Sequence, residues 1–281
     1  MITAKAAAKI NLFLHVGDKR ADGYHALQSL AVFADAGDEL EFRPSPELTL
    51  AIRGPFAAGL SADGDNLVLK AARALKASAR IVLTKNLPVA SGIGGGSADA
   101  AAVLRALSNL SLESLLEIAA SIGSDVPVCV ASESAWMEGR GEVLARVEGV
   151  PPIPMLLVNP GVAVPTADVF RALEMRRGTD LRLPDRFGGV GELLQFLRTT
   201  SNDLEAPALA IQPVIADVLR EIEAANALLA RMSGSGATCF GLFESEAQVA
   251  HAAQAISAAH PGWWVCATRI APTHPTHHGR P

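Results

Sequence analysis

Residues 91–97 read Ser-Gly-Ile-Gly-Gly-Gly-Ser, with four glycines in five positions. A strand-like run, Ile81-Val82-Leu83, leads into this stretch, and an alanine-rich helical pattern leaves it. Few chain designs accommodate that order. A glycine-rich turn opening a helix lets the backbone approach a ligand closely, aims free N–H groups inward and adds the partial positive charge of a helix N-terminus. Such a turn is suited to holding phosphate. The other reading is a tight strand–helix connection with Ser97 as N-cap.

The stretch is neither of the two commonest phosphate motifs. It lacks the Lys-Ser/Thr ending of G-x-x-x-x-G-K-[ST], and Ser97 stands where a dinucleotide fingerprint needs its last glycine. At 281 residues the chain predicts one large or two medium domains with a sizeable core. Charged residues make up 19% and hydrophobic ones 49%, which describes a globular chain, not a disordered one. No apolar run is long enough to predict a transmembrane helix, and Lys9 and Asn11 interrupt any signal-peptide core. With a net charge of −5 and no basic block, nucleic-acid and membrane-surface binding are disfavoured. Cys129, Cys239 and Cys266 are widely spaced and form no C-x-x-C pair, so free thiols in a reducing cytoplasm are expected.

Along the chain, residues 2–16 predict one or two strands. Lys9 and Asn11 are two apart and share a strand face, while Ile10 and Leu12 point into the core. The run Gly17–Gly23 predicts a hairpin-type turn before a strand beginning at Tyr24-His25, and residues 38–53 predict two further short strands. Asn66 and Ser111 are expected to cap helices, the second ending at Gly123. Ser124-Asp125-Val126-Pro127 then leads into an apolar run expected to be a buried strand. Val150–Pro154 marks a domain boundary, residues 176–190 a loop, and Met232–Phe240 a second glycine turn between two strands. The histidines of residues 271–281 belong to an expected frayed tail, not a metal site.

The pattern Pro-x-x-x-Gly-Ile-Gly-Gly-Gly-Ser-x-x-Ala over residues 88–100 resembles the ATP loop of the GHMP kinases, which phosphorylate small metabolites. Lys9-Ile10-Asn11 and Arg20-Ala21-Asp22-Gly23-Tyr24-His25 narrow the likeness to the branch that acts in non-mevalonate isoprenoid synthesis on a cytidylylated methylerythritol. Gly-Ser-Asp-Val-Pro at 123–127, the Pro-Gly run ending in Pro165-Thr166, and Met232–Phe240 are similar to further motifs of that branch. The likeness covers about residues 5–245.

That resemblance implies an α+β chain of two domains, 1–152 and 153–281. The first would be like the second domain of ribosomal protein S5 and would hold the ATP loop and the catalytic pair. The second would be a ferredoxin-like α/β sandwich closing the cleft. It further implies Asp125 as the catalytic base and Lys9 as its partner, with ATP held by Pro88, Val89, Ala90, Ser91, Gly92, Ile93, Gly94, Gly95, Gly96 and Ser97. The acceptor would meet Asn11, Tyr24, His25, Thr166, Phe170, Gly234 and Ser235, its cytosine sandwiched by Tyr24 and Phe170. Mg²⁺ is expected with ATP, its ligands unassigned beyond Ser97, and the partner is a small molecule. Two departures stand out: Ala31 where some members carry an aromatic that would wall the base, and Asp99 where some carry asparagine. Other readings stay open at this point: a kinase of mevalonate-, homoserine- or sugar-type acceptors, a non-catalytic nucleotide-binding module, or an RNA-binding protein of shared fold.

Overall fold

The computed structural model describes residues 1–272. The tail expectation lies almost wholly outside them. In chain order the first half runs β1 (Ile2–Lys19), β2 (His25–Pro44), β3 (Thr49–Arg53), α1 (Leu67–Ala74), β4 (Ala79–Thr84), α2 (Gly95–Ala106), α3 (Leu112–Ile122), α4 (Val126–Ala131), β5 (Ala135–Gly139) and β6 (Val143–Arg146). The second runs β7 (Pro154–Asn159), α5 (Thr166–Arg171), α6 (Val190–Arg198), α7 (Glu205–Ile211), α8 (Val214–Ala224), β8 (Leu229–Met232), β9 (Cys239–Leu242), α9 (Glu246–Ala259) and β10 (Trp264–Arg269).

Two sheets result. In the first, the long β2 pairs with β1 along one edge and, on the other, with β5 through its first half and β4 through its second. The residues 38–44 expected as a separate strand are therefore the far half of β2. β3 joins β4 in parallel, the connection passing through α1. The second sheet is antiparallel in the order β10-β7-β9-β8.

Three apolar clusters layer these parts. One fills the space between the first sheet and α1–α4, using Phe33, Leu40, Ile81, Leu83, Val103 and Val128. A second joins the two sheets, with Ile10, Leu12 and Phe13 of β1 meeting Met155, Leu157, Phe240 and Leu242. A third lies where Leu156, Val158 and Cys239 of the second sheet meet α8 and α9 through Ile215, Val218, Val249 and Ile256. A register shift between Asn11 and Phe13 lets Ile10, Leu12 and Phe13 all enter the middle cluster.

One expected strand is a helix. Residues 126–131 form α4, with Pro127 in its first turn, where a missing N–H costs nothing and the fixed φ favours helix entry. The expected caps are present: Asn66 Oδ1 accepts from Val68 N, and Ser111 Oγ from Ser114 N. No helix of the described residues is long and apolar enough to cross a membrane. Cys129 and Cys239 are buried, Cys266 is half-buried, and all three are free thiols.

Candidate active site

The end of β4, the loop after it and the start of α2 form one wall of a cleft of about 670 Å³. Helix α2 begins after Gly94, whose φ of +64° turns the chain into the helix. The first intrahelical bond runs from Ala98 N to Gly94 O at 2.8 Å. The amides of Gly95, Gly96 and Ser97 therefore have no helical acceptor and sit at the positive end of a twelve-residue helix, on the cleft. Ser97 lies inside the first turn, so it is not the N-cap of the plain-connection reading.

The loop is held from behind by the second glycine turn. Gly92 has φ +76°, and a Cβ there would lie 2.4 Å from Ser233 O, an approach only glycine permits. Thr238 N donates to Ser91 O at 3.1 Å, and Ser233 Oγ donates to Gly92 O at 3.1 Å. Ser233 Oγ also accepts from Asn11 N at 3.1 Å, which joins β1 to both glycine turns. Asn202 Nδ2 secures the second turn, donating to Met232 O and Gly234 O, each at 2.8 Å.

Against the loop, Lys9 and Asn11 present one face of β1 to the cleft, as their spacing predicts. Lys9 N donates to Ile93 O at 3.0 Å, and the Lys9 side chain packs on Gly94. Lys9 Nζ donates to Asp125 Oδ2 at 2.6 Å. The lysine side chain is 5% exposed and that of the aspartate 36%, so the pair is anchored on one side and open to the cleft on the other. Asp125 stands just before α4. Asn11 Nδ2 donates to Ser29 Oγ at 2.8 Å, and its Oδ1 is buried without a partner.

Of the residues singled out from the sequence, Lys9, Asn11, Asp125, Pro88, Val89, Ala90, Ser91, Gly92, Gly94, Gly95, Gly96, Ser97, Thr166, Phe170, Gly234 and Ser235 all line this one cleft. Ile93 does not; its side chain is fully buried in the core between the sheets and anchors the loop there. Thr166 and Ser235 share a hydroxyl bond of 2.8 Å. The His25 ring stacks on Phe170 at 5.7 Å and 17°, so it borders the cleft through that ring. Tyr24 is 59% exposed and faces Arg140, whose guanidinium carbon lies 5.1 Å from the ring centre. Ala31 is fully buried in the cluster under α1–α4, so the position offers no wall to the cleft.

Behind the loop lies a buried charged group of which the sequence drew attention only to Asp99. Lys85 Nζ donates to Asp38 Oδ2 and, at 2.7 Å, to Asp99 Oδ2. Burial pushes the Asp99 carboxyl up to about 7, with Lys85 opposing and Asp38 reinforcing the shift. Lys85, Asp99, Asn66 and Arg140 also line the cleft. A lysine between a strand and a phosphate-type loop was the available signal for Lys85; Asp38 offered none. Among the described residues no cluster of three or more His, Cys, Asp or Glu side chains is placed to hold a metal.

A glycine-rich loop at a helix N-terminus, lining one cleft together with a lysine–aspartate pair, is the arrangement of a small-molecule kinase. The family models "GHMP kinases N terminal domain" and "GHMP kinases C terminal" match residues 66–133 and 182–262. A 4-diphosphocytidyl-2-C-methyl-D-erythritol kinase of Cereibacter sphaeroides is 53% identical over 96% of this chain and 100% of its own length. One of Paracoccus denitrificans is 52% identical over 95% of this chain and 96% of its own. The crystal structure of a 4-(cytidine 5'-diphospho)-2C-methyl-D-erythritol kinase superposes with a TM-score of 0.77 at 31% identity, covering 96% of this chain and 100% of that one. The chain belongs to the 4-diphosphocytidyl-2-C-methyl-D-erythritol kinase family of GHMP kinases.

Proposed function

We propose that this chain transfers the γ-phosphate of ATP to the 2-hydroxyl of 4-diphosphocytidyl-2-C-methyl-D-erythritol, with Asp125 as base and Lys9 as its partner. The observation that carries the reading is the 2.6 Å contact between Lys9 Nζ and Asp125 Oδ2, in the cleft that the glycine loop also lines. Phosphoryl transfer asks a protein mainly for position and charge. The amides of Gly95, Gly96 and Ser97 supply donors for phosphate oxygens. Asp125 accepts the hydroxyl proton as the new O–P bond forms and the bond to ADP breaks. Lys9 offsets the negative charge that develops on the transferred group. Asn11, held by its Nδ2 bond to Ser29 Oγ and lining the cleft, orients the acceptor molecule.

Mg²⁺ bound to nucleotide phosphates needs few protein ligands, and those it takes are oxygens. Ser97, on the cleft wall beside the free amides, fits that demand. Bound there, the ion neutralises phosphate charge. The cytosine of the acceptor is assigned to Tyr24, His25 and Phe170, the stacked His25–Phe170 pair supporting an aromatic platform for a base, and Thr166, Gly234 and Ser235 are further acceptor contacts on the cleft. In this reading residues 1–152 hold the ATP loop and the catalytic pair, residues 153–281 close the cleft, and the free thiols suit a cytoplasmic enzyme.

The test is ADP release by the purified protein with Mg-ATP, comparing the cytidylylated acceptor with mevalonate, homoserine and galactose. Selective turnover of the first is expected. Preference for another acceptor would keep the kinase and overturn the substrate. Silence on all four with ATP still bound would leave only a nucleotide-binding module.

A further inference from the structure

Asp38 is fully buried in β2 and is not among the residues lining the cleft, yet it reaches the phosphate loop through two routes. Its Oδ1 accepts backbone N–H bonds from Asn86 at 2.6 Å and Leu87 at 2.8 Å. Its Oδ2 accepts from Lys85 Nζ, which donates in turn to Asp99 Oδ2 at 2.7 Å. Residues 85–87 enter the glycine loop, and Asp99 lies just past its exit in α2. One ammonium thus ties the two ends of the loop together, and one carboxylate fixes that ammonium.

The fixed point is firm. β2 is hydrogen-bonded on both sides here, to β1 and to β4, with Asp38 opposite Ala6 and Glu39 opposite Thr84. The Lys85 backbone is also held, its N–H donating to Arg53 O at 2.7 Å and its carbonyl accepting from Phe56 N at 3.2 Å. Three buried ionisable groups are a poor way to gain stability, because desolvation cancels most of their attraction. What they add is geometry: the separation of loop entry from helix start.

We propose that Asp38 is a positioning residue for nucleotide binding. Through Lys85 and the amides of Asn86 and Leu87 it sets the spacing of the two loop ends, so that the amides of Gly95, Gly96 and Ser97 converge on one phosphate. The inference rests on the assignment of that loop to ATP made above.

Asp38→Asn keeps a carbonyl oxygen for the two backbone amides and removes the charge that holds Lys85. It leaves Lys85 and Asp99 as a balanced pair, so the variant is expected to fold. Calorimetric titration with Mg-ATP should then show affinity lower by about tenfold to a hundredfold, the cost of a misplaced binding group. The KM for ATP should rise in step, with the KM for the cytidylylated acceptor unchanged. A folded variant that binds Mg-ATP like the wild type overturns the inference. So does an equal loss toward both substrates, which marks a merely structural role. Absence of binding in the wild-type protein would instead remove the ATP assignment, and this inference with it. Should Asp38→Asn fail to fold, Lys85→Gln keeps the Asp38 bonds to Asn86 and Leu87 but loses the ammonium. It should show the same ATP-only loss, and wild-type ATP affinity in it would refute the clasp.

Discussion

Lys9 Nζ and Asp125 Oδ2, 116 residues apart in the chain, lie 2.6 Å from each other, so that β1 and the start of α4 meet at a single ion pair. Asp125→Asn keeps the size of the side chain and its oxygen for Lys9, but an amide takes no proton. Under the proposed mechanism, turnover should fall by about a hundredfold to ten-thousandfold, the usual worth of a general base. Mg-ATP affinity should stay near that of the wild type, since the loop amides are untouched. Steady-state ADP release, paired with calorimetric ATP binding, checks both halves. Near-normal turnover would remove Asp125 from the mechanism.

The contact between the two glycine turns makes a second prediction. A Cβ on Gly92 would stand 2.4 Å from Ser233 O and 2.8 Å from Gly236 N, at a φ of +76°. Neither backbone has room to retreat, because the Thr238 and Ser233 bonds hold them together. Gly92→Ala should therefore cost more than the left-handed strain alone, itself roughly 1–3 kcal/mol. Gly23→Ala is the control: its φ is +86°, but nothing lies within 4 Å of the added carbon. Urea unfolding of the two variants should separate them, Gly92→Ala being the less stable and also the weaker ATP binder. Equal destabilisation would mean that the two turns yield without cost.

What the sequence made legible was local. Lys9 and Asn11 share a face because strand geometry alternates, and the Asn66 and Ser111 caps follow from side chains that bond their own helix starts. The glycine run announced its turn because few other uses explain four glycines together. Val126–Ala131 misled for a physical reason: six apolar residues fit a buried strand or a buried helix equally, and only Pro127 favoured the helix. The union of residues 25–44 into one long strand depends on pairing with three partners, which no local pattern records. Asp38, Lys85 and Asp99 converge from separate elements, so their cluster is a product of the tertiary fold alone.

The acceptor end offers a third test. Phe170 stacks on His25 and lines the cleft, whereas Tyr24 is largely exposed and engaged with Arg140. Loss of a base–aromatic stack costs about 1–3 kcal/mol, or roughly fivefold to 150-fold in affinity. Phe170→Ala should raise the KM for the cytidylylated acceptor within that range and leave the KM for ATP unchanged. Tyr24→Ala should raise the acceptor KM as well, if the tyrosine swings from Arg140 to cover the base. An acceptor KM unmoved by Tyr24→Ala would assign the platform to His25 and Phe170 alone.

Asp99 predicts a pH dependence of stability. Its carboxyl is pushed up to about 7 by burial, with Asp38 reinforcing the shift against the pull of Lys85. In the unfolded chain it titrates near the ordinary value of about 3.9. Between those two values the folded state holds a proton that the unfolded state has lost, so raising the pH through this window costs stability. The contribution is fully present below about pH 4 and gone above about pH 7. Asp99→Asn carries no such proton and leaves Lys85 balanced by Asp38. Urea midpoints measured from pH 4.5 to 8 should therefore show the variant gaining on the wild type as pH rises, with the gap levelling off above about 7. Taking the difference cancels every other titrating group the two proteins share. Parallel profiles would mean that Asp99 is ionised across the whole range, with Lys85 balancing its charge and Asp38 the weaker partner.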